Sequence, residues 1–168
     1  MERYAVTEFR KRRRHLPHWE EPGGTYFVTF TLKRPGLCDL TRPDLAGVVI
    51  AALRHFHRIR LRLYDYTVMP DHAHAILQPI PRDEATEELH RLLGSIKGWS
   101  ARTTNGILRR RGALWLHESY DHLIRDEADY VLRARYIWEN PVCKGLVEQA
   151  EDWPWWGRGD LPWDPPNP

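Results

Sequence analysis

Cysteine is scarce: only Cys38 and Cys143 occur in 168 residues. They lie far apart without a metal-ligand spacing, which argues against a disulfide framework and for a reduced, cytosolic chain. No stretch of about 18 apolar residues exists, so no membrane-spanning helix is expected. The arginine-rich N-terminus lacks the apolar segment of a signal peptide. There is no internal repeat. Nor is there a large net charge, since 25 Lys and Arg against 23 Asp and Glu leave only +2. Basic character is therefore local.

Aromatic residues are plentiful: eight Trp, seven Tyr and four Phe disfavour intrinsic disorder. The length suits one domain with a real core. Basic residues gather at Arg10, Lys11, Arg12, Arg13 and Arg14, again at Arg54, Arg58, Arg60 and Arg62, and again at Arg109, Arg110 and Arg111. Acidic residues gather at 83–88 and 126–129. Such segregation suits a phosphate backbone on one face, although a solvated surface is the commoner explanation of any single cluster.

Residues 1–24 read as a basic arm, broken by Pro17, Pro22 and the Gly23-Gly24 pair. A single domain is expected over 25–150, and an irregular Trp/Pro-rich tail over 151–168. Thr25 to Leu32, β-branched and aromatic, predicts a central strand with Tyr26, Val28 and Phe30 on one face and Phe27, Thr29 and Thr31 on the other. Thr41 is expected to cap a helix whose buried stripe is Leu45, Val48, Val49, Ala52, Leu53 and Phe56. Strands are expected next at 61–69 and 73–79, then a loop from Pro79 and a helix from about Glu84 to Thr103, with a turn at Asn105-Gly106. A fourth extended segment spans 114–124. The last helix runs from an Asp126 cap to Asn140, where Pro141 is expected to stop it. An antiparallel sheet with helices on one face, an α+β fold of ferredoxin-like type, fits this order.

The organising stretch is Tyr66 to Gln78. There a strand turns at Pro70-Asp71 and re-enters as His72-Ala73-His74-Ala75. Alternation puts His72 and His74 on one face and Ala73, Ala75 and Leu77 on the other, towards a core. Two imidazoles side by side make half of a divalent-metal site, and two surface histidines on a hairpin strand are the competing reading. On the last helix Tyr136 and Asn140 are four residues apart and share a face. Taken alone, that pair suits an ordinary core phenol and a helix-ending amide.

Several motifs in order carry a resemblance: Leu16-Pro-His-Trp, Gly24-Thr-Tyr-Phe-Val-Thr-Phe, Met69-Pro-Asp-His-Ala-His74, Tyr120-Asp-His-Leu-Ile-Arg-Asp-Glu127 and Tyr136-Ile-Trp-Glu-Asn-Pro-Val-Cys-Lys-Gly-Leu-Val147. Over about residues 10–156 the chain resembles the REP-associated tyrosine transposases, in the single-tyrosine branch of the His-hydrophobic-His endonucleases. Trp115-Leu-His117 and Trp155-Trp-Gly157 depart from the family pattern. The resemblance implies that His72, His74 and Asn140 bind Mg2+ or Mn2+, and that Tyr136 cuts one DNA strand through a 5′-phosphotyrosine. Glu139 is a rival ligand on the same turn, whereas Asp71, one residue before His72, should face away. His122 and Arg125 either support the site or brace the last helix.

The implied substrate is single-stranded or hairpin DNA of repetitive extragenic palindromes. Arg10 to Arg14 and Arg109 to Arg111 are candidates for phosphate contact, and Trp19, Trp99 and Tyr120 for base stacking. A cytoplasmic, nucleoid-associated protein acting as a monomer rather than a dimer is expected. A protein that binds hairpins without cutting them is the alternative. A His-x-His-x-His nucleotide hydrolase is excluded, because Ile76 stands where its third histidine would be.

Overall fold

The structure, a computed structural model, describes residue 21 and residues 23–82, 85–86 and 88–162. Arg10, Lys11, Arg12, Arg13, Arg14 and Trp19, and with them most of the expected arm, lie outside these residues. So do residues 163–168 of the tail. Strand β1 is Thr25–Thr31, helix α1 Pro43–His55, β2 Leu61–Val68 and β3 His72–Pro79. A two-residue ladder comes next, β4 Pro81–Arg82 and β5 Ala85–Thr86, where a plain loop was expected. Then come α2 Leu89–Ile107, β6 Tyr120–Ile124, α3 Glu127–Cys143, a 3-10 turn at Ala150–Asp152 and β7 Trp156–Arg158.

The main sheet has the order β6-β1-β3-β2-β7, every neighbour antiparallel. Its first four strands have the order of a ferredoxin-like βαββαβ unit. One sheet face packs on α1 and α2 through residues such as Val28, Phe30, Ala75, Leu77, Leu53 and Ile96. The other face carries a smaller cluster, Phe27, Tyr64, Ile76, Ile124 and Ile137, beneath α3. The alternation read in β1 and β3 holds residue by residue: Ala73, Ala75 and Leu77 enter the larger core.

Strand β2 departs from alternation. Its pairing with β3 shifts register between Leu63 and Tyr66. Leu63 and Tyr66 join the larger core, while Tyr64 and Asp65, consecutive in sequence, both meet Tyr130 of α3. An extra residue in one strand re-aims every side chain beyond it. Strict alternation would have sent Asp65 into the apolar layer.

Helix ends also differ from expectation. Arg42, not Thr41, is the N-cap of α1 and gives no side-chain cap bond; the Thr41 hydroxyl bonds Asp39 Oδ1 at 2.5 Å instead. Helix α2 starts later than expected and passes through Asn105-Gly106, because its buried stripe continues through Ser100 to Thr104. Asn105 spends its turn chemistry beyond the helix, donating to the Gly112 carbonyl at 2.8 Å. Asp126 caps α3 as expected, accepting from the Asp129 N–H at 2.8 Å. Pro141 does not stop α3, which runs on to Cys143. A proline this near the end forfeits one helical bond, and Lys144 N–H closes the last turn on the Asn140 carbonyl at 3.0 Å.

The tail expected to be irregular contributes β7, an edge strand beside β2. Arg158 Nε donates to buried Asp65 Oδ1 at 2.8 Å, and Gly159 N–H to the Tyr64 carbonyl at 2.5 Å. A Cβ at Gly157 would overlap the Tyr66 ring and one at Gly159 the Leu63 carbonyl, so glycine permits the approach. No helix among the described residues is long and apolar enough to cross a membrane.

Candidate functional site

One row of side chains crosses all five strands on the α3 face. Tyr120 of β6 pairs with Thr29 of β1, Thr29 with His74 of β3, His74 with Thr67 of β2, and Thr67 with Trp156 of β7. His72 lies two residues nearer the strand end, opposite Thr31. The two imidazoles stand 4.7 Å apart between ring centroids.

Each imidazole has its Nδ1 engaged. Thr29 Oγ1 lies 2.8 Å from His74 Nδ1, and Asp71 Oδ1 2.6 Å from His72 Nδ1. Asp71 therefore turns towards His72 rather than away, because the tight turn at Pro70-Asp71 lets its short side chain reach the next ring. A carboxylate fixing Nδ1–H leaves Nε2 as the nitrogen with a free lone pair, the usual support for a metal-binding histidine. His74 is only 4% exposed, and its Nε2 has no hydrogen-bond partner among the described residues. Burial, then the nearby charges of His72 and Lys144, holds its pKa well below the ordinary imidazole value. A neutral ring keeps that lone pair available.

Helix α3 brings the other half. Tyr136, 42% exposed, sets its ring edge-on to His74 at 5.3 Å and to Phe27 at 5.8 Å. Phe27 in turn stacks on His74 at 5.2 Å. Asn140 lies one turn later on the same flank, is 2% exposed, and has a buried Oδ1 without a partner among the described residues. Leaving such a buried polar atom unsatisfied costs about 1–3 kcal/mol. Thr67 Oγ1, in the histidine row, is a third orphan. Orphaned lone pairs on one imidazole and one carboxamide suit a divalent cation with open positions for oxygen ligands. The donor set thus fits Mg2+ or Mn2+. Among the described residues no three His, Cys, Asp or Glu side chains are arranged to hold a metal. Glu139, the rival ligand, is bonded by Arg135 Nε at 2.8 Å.

Two further groups frame the site. His122 faces α3 beside Phe27, its Nε2 2.7 Å from Asp129 Oδ2, and Arg133 Nε donates to Asp129 Oδ1 at 3.2 Å. Burial alone would raise the Asp129 pKa, but His122 and Arg133 together hold it below the usual carboxylate value. On the other flank of α3, Asp65 accepts from Tyr130 Oη at 2.7 Å, and burial followed by that carboxylate pushes the Tyr130 phenol upwards. Trp138 meets Trp156 of β7 at 4.4 Å.

Of the sequence candidates, the fold brings together His72, His74 and Tyr136, and places Asn140 one helical turn after Tyr136. His122 braces α3 through Asp129, two turns before Tyr136, while Arg125 lies exposed on the turn into α3. Arg109 and Arg111 are exposed on the loop after α2, whereas Arg110 is engaged with Asn105 Oδ1 at 2.5 Å. Trp99 is 37% exposed on α2. Asp129, Arg133 and Lys144 are not among the sequence candidates, although counting back from Tyr136 and on from Asn140 at helical spacing finds them. Asp65 carries no such signal, since the register shift alone sends it to this face.

No family model matches the chain. It is 28% identical to the REP-associated tyrosine transposase of Escherichia coli (strain K12), covering 79% of this chain and 74% of that one. A Haemophilus influenzae protein carrying the same family name is 27% identical, with coverages of 79% and 78%. Among solved structures, a REP-associated tyrosine transposase bound to a REP hairpin superposes with a TM-score of 0.69 at 24% identity, covering 88% of this chain and 82% of the other. A Deinococcus radiodurans protein named as a transposase gives 0.50 at 21% identity, with coverages of 78% and 97%. In sequence and in fold, the chain is similar to the REP-associated tyrosine transposases over most of its length.

Proposed function

We propose that this chain is a metal-dependent single-strand DNA endonuclease and strand transferase acting on palindromic hairpins, with Tyr136 as nucleophile. The observation that carries the reading is the Tyr136 ring set against His74, beside an imidazole pair and a buried amide with unused lone pairs. The similar transposases, one of them bound to a REP hairpin, support the substrate class.

His72, His74 and Asn140 would hold the ion, which supplies Lewis-acid stabilisation of the scissile phosphate worth several kcal/mol. The remaining chemistry belongs to the chain. Tyr136 Oη bonds to phosphorus, the bond from phosphorus to the 3′ oxygen breaks, the phenol proton passes to solvent, and the 3′ oxygen takes a proton from solvent and leaves as a hydroxyl. One ester replaces another, so a second 3′-OH can reverse the step without an energy source. Phe27 fixes the spacing of phenol and imidazole, and Thr29 and Asp71 fix which ring nitrogens face outwards. Tyr136 reaches His74 within one chain, so a monomer holds all four groups, and an enzyme of chromosomal DNA would work at the nucleoid.

Incubation with a labelled hairpin oligonucleotide and Mn2+ is expected to give a covalent protein–DNA band that survives denaturation. Tyr136→Phe should lose the band yet still bind the hairpin. A band of equal yield from Tyr136→Phe overturns the assignment. Tight binding without any band from the native chain would favour the non-cutting reading.

A further inference from the structure

We propose that Arg133 binds the phosphate that Tyr136 attacks, with Asp129 and His122 as the positioning residues that aim it. The inference rests on the cleavage reaction proposed above and adds to it a fixed protein cation.

The placement comes from helix geometry. Asp129, Arg133, Tyr136 and Asn140 are spaced four, three and four apart, so they form one flank of α3. That flank meets the sheet through His122 of β6 at its Asp129 end and through Phe27 of β1 and His74 of β3 at Tyr136, residues that share one sheet face. A single phenyl ring ties the groups together. The Arg133 guanidinium carbon lies 5.7 Å from the Phe27 ring centre, the Tyr136 ring 5.8 Å and the His74 ring 5.2 Å. The cation, the nucleophile and the buried imidazole are thus neighbours around one residue.

Arg133 is held for a task it does not complete within the chain. Nε donates to Asp129 Oδ1 at 3.2 Å and Nη2 lies 3.4 Å from His122 Nε2. Nη1 has no protein partner among the described residues. The side chain is 22% exposed, so part of it is open to a ligand. A guanidinium anchored through one edge keeps the remaining N–H groups in a planar fork that matches a phosphate. Asp129 is itself anchored by His122, so the ion pair cannot swing freely. Phosphoryl transfer builds negative charge on the equatorial oxygens, where preorganised donors act most strongly.

The test compares the native protein with Arg133→Ala and Arg133→Lys on a hairpin carrying either the natural scissile phosphate or an uncharged methylphosphonate there. On the natural substrate Arg133→Ala should lower the rate of adduct formation at saturation by roughly 100-fold, with little change in KM, and Arg133→Lys should lower it less. On the uncharged linkage the gap between native and Arg133→Ala should largely close, because no anion remains to be neutralised. A structural brace predicts the same loss on both linkages, and that result overturns the proposal. Asp129→Asn should slow the native protein but add little to Arg133→Ala; full additivity refutes the positioning role. A second readout needs no turnover. In a Tyr136→Phe background with chelator, the methylphosphonate should weaken hairpin binding only when Arg133 is present. If native protein forms no adduct but this binding difference appears, the cleavage reading falls and the phosphate contact stands. If the binding difference is missing, the contact itself is refuted.

Discussion

At the scale of single residues, the decisive feature is polar capacity left unused in a buried place. His74 Nε2 and Asn140 Oδ1 lack partners among the described residues, although most buried polar atoms in proteins have one. In chelator these lone pairs cost stability, but His74→Phe, which keeps a ring against Phe27, removes both the Nε2 lone pair and the Nδ1 partner of Thr29, so the melting temperature should change little. Mn2+ should then separate the two proteins. At a hundredfold excess over Kd an ion adds about 2.7 kcal/mol, or roughly 5–10 °C for a domain of this size, to the native chain and nothing to the variant. Equal Mn2+ shifts in differential scanning fluorimetry would remove His74 from the ligand set. A second residue-scale expectation concerns acid. The Asp129 pKa is lower folded than unfolded, so its contribution is present above the ordinary value of 3.8 and is lost as pH falls through the folded value. Asp129→Asn should flatten that acid limb of the stability curve, and an unchanged limb would show that other carboxylates set it.

At the scale of elements, one carboxylate ties α3 to the sheet. Asp65 is fully buried and accepts from Tyr130 of α3 and Arg158 of β7. Arg158→Met would leave that buried charge with the phenol alone, and a loss of about 2–4 kcal/mol is expected in urea unfolding. The double change Asp65→Asn with Arg158→Met should cost less than the sum of the singles; simple additivity would mean the pair is not coupled. These same elements show what a sequence can disclose. Strands β1 and β3 were legible because strict alternation assigns each side chain a face, and that alone put His72 and His74 opposite the Ala73–Leu77 layer. The Asp126 cap and the Tyr136–Asn140 spacing were legible because helix chemistry is local. The register shift in β2 was not, since one inserted residue leaves no mark on composition and inverts every face after it. Strand β7 was not, because Trp156–Arg158 owes its conformation to β2, some ninety positions earlier, and to glycines that admit the close approach. Helix α2 outran its apparent turn because burial of Thr104 outweighed the local preference of Asn105-Gly106.

At the scale of the whole molecule, a small net charge hides a basic end. The loop carrying Arg109 and Arg111 returns to the sheet through Trp115, which bridges Leu32, and the Leu32 N–H bonds the Asp71 carbonyl beside His72. Exposed Lys33 and Arg34 leave β1 at that same end. A hairpin seated with its scissile phosphate near Tyr136 would therefore run its backbone past these side chains. Each phosphate they neutralise releases counterions, so binding should weaken with salt at a log–log slope of roughly 0.7–0.9 per contact. The double variant Arg109→Gln with Arg111→Gln should shallow that slope by about one to two units and weaken all hairpins alike, while leaving the adduct rate at saturation unchanged. Arg110→Gln should act differently, through the loop, because its guanidinium is engaged with Asn105. Fluorescence anisotropy across a salt series checks both. A slope identical to that of the native protein would place the DNA elsewhere, and a lost adduct rate with an unchanged slope would move these arginines from the rim into the chemistry.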